Sequence, residues 1–435
     1  MFISANIIFA ICSIVISEYI YDPIHQYNLK YLFGIFIAVF NYIICCYIYD
    51  IYNISEYSKM SDLIKNIILA NILTGVLTCT AYFITSIWHR KVFILNSVML
   101  LSFSFIWRLY FIRIMKSKEK AYNILMISNN QHKKELSELL RLRYHANEIH
   151  ELDADALVKE SKALNRLIDE AGKGKIFHVL IDYKTTNIQE FLNRIRIIIS
   201  TGVKVYDFES VYEHLTDKVI ISSNIIPLLN MRTISYMKYD IYKFRIKPII
   251  DKIIAALILI ILSPALLILI IIIILFSKTP VFFTQDRVGL NEKPFRIYKF
   301  RSMKTDKNTS APNWTDVNDD RITPIGKIMR KYRIDEIPQL WNVLRGEMSL
   351  IGPRPEVPDF VNIFNSSITY YFMRHTVKPG ITGWSQVKYK YAASPEEAIT
   401  KLQYDLWYIK NMSFFIDLRI ILETLKVVFI GRGAR

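Results

Sequence analysis

Apolar and polar positions fall into three successive textures along the 435 residues. The first is a set of apolar runs at roughly 2–20, 31–49, 66–88 and 92–112, each near the ~20 residues an α-helix needs to cross a bilayer. The second, from about 121 to 235, alternates like a soluble α/β domain. Tyr122–Ile127, Phe177–Asp182 and Val203–Phe208 read as strands, and His132–Leu142 and Ile188–Ile199 as amphipathic helices. That order predicts a small parallel sheet. The third opens with another apolar run, Ile253–Phe276, and passes into a polar, proline-punctuated stretch that closes on an apolar helix, Phe415–Ile430. The predicted fold class is therefore a membrane protein with α and α/β parts. A four-helix transmembrane bundle is expected over 1–115, an α/β domain over 121–235, a membrane helix over 245–277, and a mainly helical domain over 278–435.

The run Ile253–Phe276 has the length of a span, but two features argue against a simple crossing. Pro264 sits in its middle, has no N–H and collides with the carbonyl of Ile260, so a bend is expected. Ser263 is placed to satisfy the carbonyl that the proline frees. Both flanks are also basic: Lys243, Arg245, Lys247 and Lys252 before, Lys278, Arg287 and Lys293 after. Cations mark the cytoplasmic side of a membrane segment. The expectation is a re-entrant helix broken at Ser263-Pro264 that enters and leaves through one leaflet. Lys59, Lys65 and the cluster Arg108, Arg113, Lys116, Lys118, Lys120 put the connector and the end of the bundle in the cytoplasm by the same rule. His89-Arg90-Lys91 runs weakly the other way.

Net charge is +16, and mean hydropathy is +0.22. Anionic partners follow: lipid head groups, nucleotides or phosphates. Nucleic acid is set aside, since no zinc-finger spacing or RNA-binding signature appears and the cations flank apolar runs. Cys12, Cys45, Cys46 and Cys79 all lie in apolar runs and read as small core or lipid-facing residues. The N-terminus lacks a basic start and an A-x-A site, and reads as a first span.

The chemistry concentrates after residue 290. Thr323-Pro324 is a helix cap followed by proline at the first helical position, so a helix should run to about Lys331. A second should start near Asp335 and end by Leu344, with Gly346 just beyond. Asp335 and Glu336 then sit at a helix N-terminus, where anions and phosphate oxygens are favoured. Arg354 lies between Pro353 and Pro355, which fix the backbone and present a planar guanidinium suited to phosphate. Lys299 and Arg301 add cations on a strand-like segment, and Arg321, Arg330 and Arg333 precede the carboxylates. Asp316, Asp319 and Asp320 read as a solvated loop. Pro379-Gly380-Ile381-Thr382-Gly383-Trp384 reads as a tight turn into a buried tryptophan. After the first α/β strand comes Met126-Ile127-Ser128-Asn129-Asn130, without the G-x-G-x-x-G of a dinucleotide site.

These segments have a recognisable relative. The Ser-Pro within an apolar run, "TQDRVGLNEKPFRIYKFRSM", "DDRITPIGKIMRKYRIDEIPQLWNVLRGEMSLIGPRPE" and "KPGITGWSQV" together resemble the bacterial sugar transferases, the polyprenyl-phosphate hexose-1-phosphate transferases. The likeness covers about 245–435. The front of the chain resembles the four-span bundle and degenerate Rossmann-like (CoA-binding-like) domain of the long, exopolysaccharide-associated members.

The resemblance implies transfer of a sugar-1-phosphate from a UDP-sugar to undecaprenyl phosphate. It assigns Asp335 as nucleophile, Glu336 as its partner, Mg²⁺ as cofactor with Asp335 and Glu336 as its ligands, and Arg354 as the phosphate-binding arginine. Lys299, Arg301 and Arg333 are the further phosphate-binding candidates. It also implies a multi-pass protein of the bacterial inner membrane with a cytoplasmic catalytic domain, membrane lipids as surroundings, and a homodimer as one assembly. Two other readings are a non-catalytic assembly platform, which the intact carboxylate pair disfavours, and a membrane-bound nucleotide-sugar modifying enzyme. The latter lacks its glycine fingerprint and Tyr-x-x-x-Lys pair in 278–435.

Overall fold

A computed structural model of the protein describes residues 29–49, 60–85, 95–96, 98–107, 123–144, 149–153, 178–182, 203–221, 241–277, 280–303, 321–389 and 395–430, with scattered positions in 8–16 and at 51, 110, 113, 196 and 200. Most of the first apolar run, most of the helix expected at Ile188–Ile199, the loop of Asp316, Asp319 and Asp320, and residues 431–435 lie outside the described residues. The chain forms two compact units, Met1–Leu215 and Thr216–Arg435.

In the first unit, helices α1 (Leu29–Ile48) and α2 (Met60–Thr85) pack along each other. Their shared core holds Ala10, Tyr42, Cys45, Ile67, Ala70 and Leu100, so side chains from all four apolar runs meet. Polar groups in this core are satisfied locally, as an apolar setting requires: Ser13 Oγ donates to Asn96 Oδ1 at 2.7 Å and Thr74 Oγ1 to the Ala70 carbonyl at 2.7 Å. Phe36, Phe40, Ile72 and Val76 face outward.

The α/β part is a parallel four-stranded sheet of order β2-β1-β3-β4: β1 Ile124–Ile127, β2 Ile149–Leu152, β3 His178–Ile181 and β4 Lys204–Asp207. The expected strands are present within a residue or two. Strand β2 was not expected, because four residues with His150 and Glu151 in the middle carry too little alternation to signal. Helix α3 (Lys133–Tyr144) follows β1 through a side-chain-built turn. Ser128 Oγ accepts from Asn130 N at 2.9 Å, and Asn130 Oδ1 from His132 N at 3.0 Å. Helix α4 (Phe208–Thr216) follows β4. The second unit begins at Thr216, before the expected end of the α/β stretch drawn over 121–235. Val219 is part of its core, and Val219 N donates to the Gln403 carbonyl at 3.2 Å.

The second unit opens with a π-helical turn, Tyr242–Ile246, that runs into helix α5 (Lys247–Ser277). Tyr242–Phe276 is the one helix among the described residues long and apolar enough to cross a membrane. The helix does not break at Pro264: it stays helical throughout. The carbonyl that Pro264 cannot serve, Ile260 O, accepts from Ser263 Oγ at 2.7 Å. The proline is thus a repaired gap in the hydrogen-bond ladder. Both limbs of α5 lie against this unit. Ala255, Ile258 and Leu259, before Pro264, pack with Leu340, Val343 and Met348. Leu266, Leu269, Ile270 and Ile273, after it, pack with Phe300 and Met329.

The remaining elements are the antiparallel hairpin β5 (Phe282–Val288) and β6 (Pro294–Phe300), α6 (Pro324–Lys331), α7 (Gln339–Arg345), β7 (Ser349–Ile351), α8 (Pro358–Ser367), β8 (Gly380–Thr382), α9 (Trp384–Lys388), α10 (Pro395–Asn411) and α11 (Phe414–Ile430). Thr323 caps α6 as expected, its Oγ1 accepting from Gly326 N at 2.9 Å, and Gly346 closes α7 in the left-handed region. Trp384 is fully buried, its ring stacked on Trp407 at 5.2 Å. Strands β7 and β8 are parallel and very close: a Cβ on Gly380 would lie 2.0 Å from Gly352 N. That approach sets the position of Pro353-Arg354-Pro355. A buried cluster ties the base of α5 to α11: Asp417 Oδ2 accepts from Lys247 Nζ and Tyr242 Oη, each at 2.6 Å, and Asp417 Oδ1 from Tyr408 Oη at 2.8 Å.

Candidate active site

The carboxylate pair does not open an α-helix, as the sequence had suggested. Ile334–Glu336 is a 3₁₀ turn, and the α-helix starts only at Gln339. Pro338 is the cause: without an N–H it cannot bond the Ile334 carbonyl, so α-type pairing cannot run through it. The tighter i→i+3 pattern takes over, with Glu336 N bonding Arg333 O and Ile337 N bonding Ile334 O, each at 3.2 Å. Arg333, just before, is in the left-handed region at φ 54°. A non-glycine residue there stores strain of order 1 kcal/mol and marks many functional sites.

The turn points its two carboxylates into different settings. Glu336 is 6% exposed and surrounded by cations. Its Oε1 accepts from Arg354 Nη2 at 2.8 Å and Lys299 Nζ at 3.1 Å, and Arg333 Nη1 is 3.6 Å from Oε2. Burial alone would push its pKa up, but Arg354, Lys299 and Arg333 outweigh that and hold it well below the ordinary glutamate range. Asp335 has no hydrogen bond or ion pair among the described residues. Burial, and then the neighbouring Glu336 charge, push its pKa up. Arg354 is held ionised by Glu336. Lys299 is lowered, first by burial and then by Arg354 and Arg287, against the pull of Glu336.

Three of the four expected phosphate-binding cations thus meet at one carboxylate. The fourth, Arg301, falls one residue past the end of β6, and its Nε donates to the Met303 carbonyl at 3.1 Å. The described ion pairs of Glu336 do not include it. Ser263 and Pro264 belong to α5 and serve its backbone.

The structure adds residues that sequence reasoning missed. Arg374, 3% exposed, donates Nη2 to the Arg354 carbonyl at 2.9 Å and to Asp405 Oδ2 at 2.8 Å. Asp405 Oδ1 accepts from Ser385 Oγ at 2.6 Å. Glu356 pairs with Lys401 at 2.5 Å. Burial pushes its pKa up, yet Lys401 and Arg374 bring it down to about 2. Gln386 Oε1 accepts from Arg354 Nη1 at 3.2 Å. One carboxylate in the mostly apolar and aromatic run Leu402–Tyr408 was the available signal for Asp405. Arg287 Nε, Arg330 Nη1 and Gln386 Nε2 are buried donors with no partner among the described residues. Buried orphans of this kind are rare.

A magnesium ion fits this donor set in one way. No group of three or more His, Cys, Asp or Glu able to hold a metal occurs among the described residues. Glu336 is taken up by its cations, whereas Asp335 has open oxygens. Mg²⁺ is commonly bound by one or two carboxylates together with substrate phosphates and water.

The sequence profile described as bacterial sugar transferase matches residues 242–431. A UDP-N-acetylgalactosamine-undecaprenyl-phosphate N-acetylgalactosaminephosphotransferase of Aeromonas hydrophila is 38% identical over 276 residues, which is 62% of this chain and 63% of that protein. An uncharacterized sugar transferase, EpsL, of Bacillus subtilis (strain 168) is 45% identical over 155 residues, 36% of this chain and 73% of that one. A UDP-glucose:undecaprenyl-phosphate glucose-1-phosphate transferase of Xanthomonas campestris pv. campestris is 40% identical over 203 residues, 46% of this chain and 42% of that one. The chain thus spans less than two thirds of the length of the first and third of these relatives.

The two carboxylates should respond to neutralisation in opposite ways. Glu336 has a lowered pKa, so its stabilisation is present above the ordinary glutamate value of 4.5 and fades as pH falls. Glu336→Gln strands buried cations and should cost about 3 kcal/mol at neutral pH. Asp335 has a raised pKa, so its favourable contribution is lost as pH rises through that value. Asp335→Asn should therefore melt at or above the wild-type temperature at neutral pH. Thermal unfolding in detergent at neutral and acidic pH checks both, and an unchanged midpoint for Glu336→Gln at neutral pH contradicts the clamp.

Proposed function

The chain belongs to the bacterial sugar transferase family, and from that premise we propose that it transfers a sugar-1-phosphate from a UDP-sugar to undecaprenyl phosphate. The products are UMP and undecaprenyl-diphosphate-sugar, the first lipid-linked intermediate of an exopolysaccharide, capsule or O-antigen repeat unit. The observation that carries this reading is the split carboxylate pair. Glu336 is locked among cations, and Asp335 beside it is ionisable, unengaged and within their field.

Reaction proceeds in two displacements at one phosphorus. In the first, a carboxylate oxygen of Asp335 attacks the β-phosphorus of the UDP-sugar. The bond to the bridging oxygen breaks and UMP leaves with the electron pair. In the second, a phosphate oxygen of undecaprenyl phosphate attacks the same phosphorus, and the Asp335 carboxylate is the leaving group. Splitting one hard transfer into two easier ones is the usual gain of a covalent nucleophile. Arg354, Lys299 and Arg333 face the transferring phosphoryl oxygens, where fixed cations matter most. Glu336 holds those cations ready and stays ionised, so they need no reorganisation. Arg374 and Gln386 fix Arg354 from its carbonyl and its guanidinium. When bound, Mg²⁺ supplies further charge neutralisation on the diphosphate, with Asp335 its available protein ligand.

The same unit supports a reading of location. Because limbs on both sides of Pro264 pack on the elements that build the site, a re-entrant α5 fits better than a crossing. It supports a cytoplasmic site at the head-group plane, where a soluble nucleotide and a lipid phosphate meet. The apolar core shared by the first four runs supports the transmembrane bundle. The glycine-free turn after β1 supports a structural or regulatory role for the sheet domain.

Purified protein with Mg²⁺, undecaprenyl phosphate and a panel of UDP-sugars should release UMP with at least one sugar. Asp335→Asn should lower that release by about 10³-fold or more, and chelation of the metal should stop it. Undiminished release by Asp335→Asn removes the nucleophile assignment. Single cysteines at Ile241 and Lys293, in a background without the native ones, should both react with an impermeant maleimide from the cytoplasmic side. Labelling from opposite sides would refute the re-entrant helix.

A further inference from the structure

A cavity of about 180 Å³ adjoins the cation cluster, and its lining is not that of a nucleotide site. Ile337, Leu340, Ile381 and Val387 supply aliphatic surface, and among the described residues no aromatic ring lines it. Its two hydroxyls are spoken for: Thr382 Oγ1 and Thr424 Oγ1 lie 2.8 Å apart, and Thr424 Oγ1 donates to the Ile420 carbonyl at 2.7 Å. The remaining wall is Arg333, Glu336 and Gln386. Gln386 is fixed through its Oε1 on Arg354, while its Nε2 is buried and without a partner. The cavity therefore offers cations and one open donor on the cluster's side, and branched hydrocarbon elsewhere.

We infer that this cavity seats the phosphate-proximal isoprenyl segment of the lipid acceptor, with Gln386 Nε2 donating to the lipid phosphate. The inference rests on the transferase reading above and adds the place and residues of acceptor binding. A sugar ring or a uracil would strand several hydroxyl or carbonyl groups against aliphatic walls, each at a desolvation cost. A polyprenyl phosphate strands none: its phosphate carries acceptor oxygens for Gln386 and the arginines, and its first segment is branched hydrocarbon. Part of the cavity's lining also packs on α5. Ile337, Leu340 and Ile381 belong to the apolar cluster that packs on Ala255, Ile258 and Leu259 of α5. The apolar wall of the cavity is thus part of the contact with the one helix among the described residues apolar enough to cross a membrane.

The test uses full-length protein in detergent, with a UDP-sugar that the wild type turns over. Val387→Phe on α9 and Thr424→Leu on α11 narrow the cavity from separate elements. Each should raise KM for undecaprenyl phosphate by about tenfold, the scale of a misfit of a methylene or more in an apolar pocket. KM for the UDP-sugar should stay unchanged. The UMP burst in the absence of lipid, which needs only the first displacement, should persist and shows that the variant is folded. Gln386→Leu should raise the lipid KM in the same direction. In the two narrowing variants, a rise in the UDP-sugar KM, loss of the burst in both, or no change in the lipid KM overturns the inference. Absence of UMP release by the wild type with every UDP-sugar is a different failure: it removes the transferase reading itself, and this one with it.

Discussion

The second unit is organised around one buried negative charge. A carboxylate as enclosed as that of Glu336 is untenable without partners, since an isolated ion in an apolar interior costs many kcal/mol. Its burial therefore draws Lys299 in from β6, Arg354 from the loop after β7 and Arg333 from the preceding turn. The requirement propagates outward. Arg354 is held at its carbonyl by Arg374, Arg374 needs Asp405, and Asp405 accepts from Ser385. Each buried charge in this chain is satisfied by the next, and the chain ends in the core of α9 and α10. What is left over is Asp335, one residue earlier, with free oxygens.

Two adjacent carboxylates thus acquire opposite characters. Environment pushes their pKa values apart, the usual sign that two like groups have different tasks. On the proposed function, Glu336 is the electrostatic anchor and Asp335 the reactive group. The left-handed Arg333 and the proline at 338 give the tight turn that separates them. Had the helix started at Asp335, both side chains would have shared one exposed helix end. The close contact of Gly352 with Gly380 then fixes the height of Arg354 against the pair. Packing of both limbs of α5 on the same unit joins this assembly to its most apolar helix.

Local chemistry was legible in the sequence, and distant pairing was not. The Thr323-Pro324 start, the Gly346 stop and the Ser263 bond that repairs Pro264 each depend on a few neighbouring residues. The helix expected near Asp335 starts at Gln339 instead, because the proline at 338 does not allow α-type pairing through the carboxylate pair. Lys299 and Arg301 looked equivalent, two apart on one strand face, but β6 ends at Phe300 and the alternation ends with it. Arg374, Asp405 and Gln386 were not found at all. Their roles come from contacts spanning 20 to 32 residues, and no spacing rule connects them. The polar, four-residue β2 was missed for want of pattern.

The central claim is that Asp335 carries the sugar phosphate between the two substrates. The most direct measurement is the mass of the full-length protein after incubation with Mg²⁺ and a UDP-sugar it uses, without lipid. The account predicts a mass increase of one sugar phosphate, mapped to the peptide containing Asp335 and discharged on addition of undecaprenyl phosphate. Turnover without any such adduct, or an adduct on another residue, would contradict it.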